Sequence, residues 1–377
     1  TVSGAVGTDI GTLTLQENAA GGSGAVSLQG NVAANTLTTF AQAYDVSLTG
    51  AVNSISTDTT FLNTGAITVG DESTDSSTFA GGLDTTAGGT ENFAGTVAAT
   101  DNQIDIGVAS VTADATIDGG TGAINTAALT VADAATLTVG TGAVGAPTIA
   151  SVTGANGGGA ASNLTLNSAG VASVGAVGTN IGTVTVTQSG GTTFSSTVDA
   201  AAVTLTDTTG TIQFDGALTA TDLNTAAQGY GVSLLGGSTI SNAVTFSNTG
   251  TTQIGDATGD TNTFNGGVTA TAGAVTASGS VVTSEDNLAL GAVTLVEAQT
   301  LTLDTANTGG GNITVASLTG VTGGSSENIT LESGSGTITV SGAVGTDIGT
   351  LTLQENAAGG SGAVSLQGNV AANTLTT

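Results

Sequence analysis

Residues 1–39 read TVSGAVGTDIGTLTLQENAAGGSGAVSLQGNVAANTLTT, and the same string returns unchanged at 339–377, a period of 338 residues. Self-similarity of this kind is the sequence mark of a repeat architecture. It sets the expected organisation: residues 1–338 are one full tandem unit, and 339–377 open the next. Within the unit, GAVGTDIGTLTL (4–15) comes back as GAVGTNIGTVTV (175–186), which divides it into degenerate halves, 1–174 and 175–338. Tyr44-Asp-Val-Ser-Leu is echoed by Tyr230-Gly-Val-Ser-Leu, and FLNTGAITVGDESTDSSTFAGGL (61–83) by FSNTGTTQIGDATGDTNTFNGGV (246–268). The offset between partners drifts, so insertions and deletions have collected between the matched segments, where loops tolerate them.

At the finest scale, short runs alternate apolar with small polar residues: Thr12-Leu-Thr-Leu, Ala66-Ile-Thr-Val, Ala135-Thr-Leu-Thr-Val, Thr183-Val-Thr-Val and Asn312-Ile-Thr-Val. A period of two buries one face of a strand and wets the other. The runs are rich in β-branched residues and end in Gly, Asn, Asp or Ser, which supply tight turns. No stretch sustains a helical period, and Gly and Thr interrupt every Ala-rich segment.

Composition sharpens this. The chain has no Lys, Arg, His, Cys, Met or Trp, one Pro and 61 Gly, and its formal net charge is −28. Only 7% of residues are charged, against about 25% in ordinary domains. Mean hydropathy is +0.32, which departs from the disorder signature and predicts a thin core of Val, Leu, Ile and Ala. Without Lys or Arg the chain cannot neutralise phosphates or a lipid surface by a basic patch, which argues against nucleic acid and anionic membrane as partners. No apolar run reaches the ~18 residues a membrane helix needs. A start at Thr1 without Met or leader reads as an internal piece of a longer chain. The absence of trypsin-type sites and of disulfides suits a stable extracellular protein built on repetitive hydrogen bonding.

Two all-β architectures fit tandem repeats. One is a parallel β-helix, or β-solenoid; the other is a string of β-sandwich domains. Sandwiches draw on a bulky aromatic core, often with a Trp or a tyrosine corner, and aromatics here are only 3%. Small corner residues and slim interior ones favour the solenoid. At about 20 residues a coil and about 4.8 Å between coils, a full unit comes to roughly 17 coils and 80 Å. Continuation into an identical unit would cover the open sheet edges at its ends.

Strings such as GTLTLQENAAGGSGAVSLQG and NTGTTQIGDATGDTNTFNGGVTATAG resemble the β-strand repeats of giant bacterial surface proteins of the filamentous-haemagglutinin and autotransporter type. The resemblance is one of style and spans nearly the whole chain. It implies a right-handed parallel β-helix, export to the bacterial surface or medium, and roles in adhesion or matrix.

The candidate sites are few. GDESTD (70–75) and GDATGD (255–260) place Asp71 and Asp75 opposite Asp256 and Asp260 in the two halves. Such turns offer carboxylate and carbonyl oxygens of the kind Ca2+ takes; the same residues also close turns by bonding their own backbone. No cofactor is required on this reading, and Ca2+ is the one ion the residues suggest. Thr-x-Thr pairs (Thr12/Thr14, Thr136/Thr138, Thr183/Thr185) suggest hydroxyl ladders, though their sequence spacing is too irregular to predict a flat array. Asn163-Leu-Thr, Asn312-Ile-Thr and Asn328-Ile-Thr match the glycosylation triplet. No His or Cys is present to build a nucleophile with its base, and the carboxylates are scattered over turns rather than paired. The chain is therefore expected to be no enzyme but a stiff, protease-resistant element of an extracellular or cell-surface fibre, sheath or matrix. The alternative is the spacer stalk of a giant adhesin. Expected partners are copies of itself, end to end or laterally, and a polysaccharide or cell surface.

Overall fold

The computed structural model describes residues 1–15, 23–306, 310–323, 326–354 and 362–377, with the side chain of Gln354 left aside. The described chain is all β, without a helix, and winds as a parallel β-solenoid of about 16 turns. It forms two compact units, residues 1–192 and 193–377.

In the first unit each turn contributes a strand to each of three columns. The first column stacks Ala25–Leu28, Asp45–Leu48, Ala66–Val69 and then 90–93, 109–111 and 129–131. The second stacks 32–34, Val52–Ile55, Ser76–Phe79, 96–98, 115–117 and Thr136–Val139. Leu83–Asp84, Ile104–Ile106, 124–126 and 147–149 belong to the third. Pairing is parallel throughout and in register, as in Val46↔Ile67 and Leu48↔Val69. The partner lies one turn on, from 18 residues (Glu91↔Ala109) to 27 (Thr136↔Asn163). This variation sits in the corners, where drift in the repeat offset is absorbed without disturbing a strand. The single proline, Pro147, opens a strand, a position where its missing N–H disturbs the ladder least.

The second unit is built alike, with columns running through Leu218–Thr225, Ser238–Ile240 and Thr261–Phe264, through Val268–Ala270, 288–290 and 313–315, and through Gly231–Leu234, Thr252–Ile254 and Val275–Ala277. Parallel pairing with the next turn excludes the sandwich alternative, whose sheets are antiparallel.

Alternation fills the interior. Val46, Leu48, Ile67, Val69, Phe93 and Val111 are buried one above another, while Ser47, Thr68 and Asn92 between them face outward. The few aromatic rings stack along the same direction. Phe61 meets Phe79 edge-on at 6.2 Å, Phe246 meets Phe264 likewise at 6.2 Å, and Phe194 lies flat on Phe214 at 4.8 Å.

Candidate functional site

The Asp-bearing turns are the most closely duplicated corners. Gly70 and Gly255 enter them at φ of 72° and 76°, a region L side chains avoid. Asp75 Oδ2 then accepts the Asp71 and Glu72 amides at 2.9 and 3.1 Å. Asp260 Oδ2 accepts those of Asp256 and Ala257, both at 2.8 Å. The backbone carbonyls of Asp75 and Asp260 receive the Thr96 and Ser280 amides of the next turn. One aspartate thus closes its own corner with its carboxylate and holds the next coil with its backbone carbonyl. Partial burial first, then the neighbouring Asp75 carboxylate, pushes the Asp71 carboxyl above its ordinary value; burial and Asp260 do the same to Asp256. The second Asp of each pair is therefore engaged with backbone, and the first leans on it. Among the described residues no group of three or more acidic side chains gathers in a way that could hold a metal ion.

The glycosylation-type triplets and the Thr-x-Thr pairs turn out to be one device. Asn163 Oδ1 accepts the Thr183 amide at 3.0 Å, and Asn328 Oδ1 accepts the Thr350 amide at 2.9 Å. Asn312 accepts the Thr337 amide at 2.8 Å in the same manner. Each Asn opens a strand and ties the start of the strand one turn on. The Thr residues line up with them: Thr116, Thr138 and Thr165 form one outward column, and Thr302, Thr330, Thr352 and Thr376 another. Register thus restores a regular hydroxyl array that corner loops of unequal length conceal in the sequence.

Buried polar groups show what else each half keeps. The Tyr44 hydroxyl donates to the Leu15 carbonyl (2.6 Å) and accepts the Phe40 amide (2.9 Å). The Tyr230 hydroxyl donates to the Leu205 carbonyl (3.0 Å) and accepts the Ala226 amide (2.9 Å). Asn53 Nδ2 donates to the Ser77 hydroxyl at 3.0 Å, whereas in the other half Ser238 donates to Asn262 at 2.7 Å. The bond persists with its two residue types exchanged.

Glu91 is a site that composition and motif searches do not flag. It shares the inward parity of Phe93 in the strand Thr90–Ala98 and is fully buried. Its Oε2 accepts the Thr85 hydroxyl at 2.6 Å and the Gly107 amide at 3.1 Å, while Oε1 has no partner. Burial outweighs these two bonds and pushes the carboxyl up to about 7. Close by runs an open groove of about 560 Å3, lined by Asp105, Gly107, Val108, Asn125 and Thr148 among others. Glu91 does not line it and is fully buried.

The remaining feature is the seam at which the repeated sequence begins again. Val2↔Leu28, Val6↔Val32 and Thr12↔Thr36 pair in the first copy. Val340↔Leu366, Val344↔Val370 and Thr350↔Thr374 pair in the second, the same positions in the same register. The second copy also rests on the coil before it, through Val315↔Val340, Leu318↔Val344 and Ile329↔Leu351. Its burial changes accordingly. Ile10 is 36% exposed and its counterpart Ile348 0%; Val2 is 44% exposed and Val340 0%. On the outer side the order reverses, with Leu37 at 3% and Leu375 at 52%. The repeated sequence thus keeps its internal register in both copies, and in the second its inner face stacks on the coil before it.

These features define a tandem-repeat parallel β-solenoid. Comparisons with protein-family models, with curated proteins and with solved structures return no match for the chain.

Proposed function

We propose that the chain is a structural segment of a long extracellular fibre at a bacterial surface or in its matrix, in which each 338-residue unit templates the next. The seam carries this reading: the repeated coil keeps its internal register while its inner face is buried against Ile313–Thr319 and Glu327–Glu332. A repeat that accepts its successor in this way adds length without leaving an open sheet edge between units. The all-acidic surface supports solubility of a long assembly and disfavours non-specific adhesion to nucleic acid. The likeness to filamentous-haemagglutinin and autotransporter repeats points the same way, and a spacer stalk would use the same segment. Carboxylates scattered over turn corners and a fully buried Glu91 that does not line the nearby groove support a non-enzymatic role.

The test is a series of chains carrying one, two and three full units, imaged by negative-stain electron microscopy. Length is expected to grow by a constant increment per unit at constant width. Units that appear as separate beads on flexible linkers, or chains whose length does not scale, would refute the proposal.

A further inference from the structure

We propose that the first half of the unit carries a binding groove for a neutral oligosaccharide, built around Asp105 and Asn125. The inference rests on the fibre reading and gives that fibre a ligand site on its side. It starts from a difference between the halves. Leu83 and Val268 close the matched segments 61–83 and 246–268, and ASVTG (150–154) matches ASLTG (316–320) further on. Between these landmarks the third column of the first half steps Leu83↔Ile104↔Ile124↔Pro147, whereas the second half steps Val268↔Leu288↔Ile313. The first half therefore holds one coil more. Its outward positions along these steps are Asp84, Asp105, Asn125 and Thr148, against Thr269, Ala289 and Thr314 in the second half. The carboxylates and the amide belong to the longer half alone.

The groove of about 560 Å3 lies on these coils, and four successive ones line it, from Gly88 through Val108 and Ala127 to Ala150. Steps of about 4.8 Å give it a span of roughly 14 Å along the stack, and its volume is that of a ligand cleft. Its polar groups are fixed before any ligand arrives. Gln103 Nε2 donates to both oxygens of Asp105 (2.9 and 2.7 Å), and Asn125 Nδ2 donates to Oδ1 at 2.8 Å. An ionised carboxylate has about four acceptor sites, so Oδ2 keeps one, and Asn125 adds its own Oδ1. These acceptors suit hydroxyl donors. The chain has no cationic side chain to hold a carboxylate, phosphate or sulfate, and a net charge of −28 repels such ligands. A metal ion is disfavoured too, because amide donors already face Asp105 and, among the described residues, no three acidic side chains gather. Gly107, whose amide is tied to Glu91, leaves room for close approach. Val108, 68% exposed, supplies the apolar surface that the C–H face of a sugar ring covers.

The experiment applies the full chain to an array of neutral tri- to hexasaccharides, with sulfated, uronate and amino-sugar oligomers alongside, in buffer containing EDTA. Wild type is expected to retain neutral members and to leave the anionic ones. The oligosaccharide retained best is then titrated calorimetrically. Asp105→Ala and Asn125→Ala should each weaken its binding at least about tenfold. Ala150→Trp adds bulk to the groove without removing a polar group and should abolish binding. Asp222→Ala strips a comparable exposed pair, Asp222 with Asn242 at 2.8 Å, from the second half and should change nothing. Retention of no neutral oligosaccharide, retention of amino-sugar oligomers alone, or wild-type binding by Asp105→Ala and Ala150→Trp would each overturn the groove. Such a failure leaves the length increment per unit standing, and a failed increment leaves the titration standing, so the two readings fall separately.

Discussion

Glu91 gives the fold a pH dependence whose sign and size can be worked out. A carboxyl titrates at about 4.3 in an unfolded chain and near 7 in this core. Between those values the unfolded state has released its proton while the folded state still holds it, so raising the pH favours unfolding. The stability is present in full below pH ~4, is lost progressively up to pH ~7, and is flat above that. Each decade of proton activity is worth about 1.4 kcal/mol, so the whole change is about 4 kcal/mol. Repulsion among 28 acidic residues also grows with pH, so the wild-type curve alone does not isolate Glu91. The Glu91→Gln variant does, because it keeps the shape and an oxygen to accept the Thr85 and Gly107 donors but does not titrate. Repeat arrays need not unfold in one step. The suitable measurement is therefore native-state hydrogen exchange at the amides of residues 85–107, wild type against variant at matched pH. Wild type should lose about 4 kcal/mol of local protection relative to the variant between pH 4 and 8. Parallel profiles for the two proteins would refute the assignment of a buried, proton-holding carboxyl.

Three further outcomes follow from the duplicated contacts. Asp75→Ala or Asp260→Ala removes the acceptor of two corner amides and should cost about 1–3 kcal/mol, with the Asn variants nearly neutral; since the carboxylates close their own turns, chelation of divalent ions should leave Tm unchanged, and a fall of several degrees would instead assign Asp71, Asp75, Asp256 and Asp260 to Ca2+. Tyr44→Phe and Tyr230→Phe each strip a hydroxyl that serves two backbone groups and should destabilise by about 1–2 kcal/mol, read as a shift in denaturant midpoint. Asn53→Ser and Ser77→Asn should each weaken the first unit, while the double variant restores the arrangement of Ser238 and Asn262, giving a favourable coupling of about 1–2 kcal/mol in a double-mutant cycle.

The class of fold is legible because a parallel solenoid writes its pattern locally. Thr136-Leu-Thr-Val alternates as a strand with Leu137 and Val139 inside, and it is one. The three-column arrangement is less legible, since a coil length varying from 18 residues at Glu91↔Ala109 to 28 at Thr300↔Asn328 has no fixed sequence period. The same variation hid the hydroxyl columns and the shared role of Asn163, Asn312 and Asn328. These residues look like surface triplets in sequence and act as ties between coils in space. Glu91 was readable in principle from its parity with Phe93, but a lone acidic residue in an alternating run is normally assigned outward. Only the third dimension shows that the turn at Thr85 and Gly107 supplies two donors to hold it inside.

The two halves of the unit show which constraints a solenoid enforces. Side-chain identity drifts freely outside, and even inside it can change when bonding is conserved. Asn53 over Ser77 and Ser238 over Asn262 fill the same two stacked positions with the residue types exchanged, and the first position donates in both. A buried polar group left alone costs about 1–3 kcal/mol, so a single change at either position is penalised unless its partner changes with it. The tyrosine itself, by contrast, is retained in both corners, where one hydroxyl both accepts an amide and donates to a carbonyl across the coil.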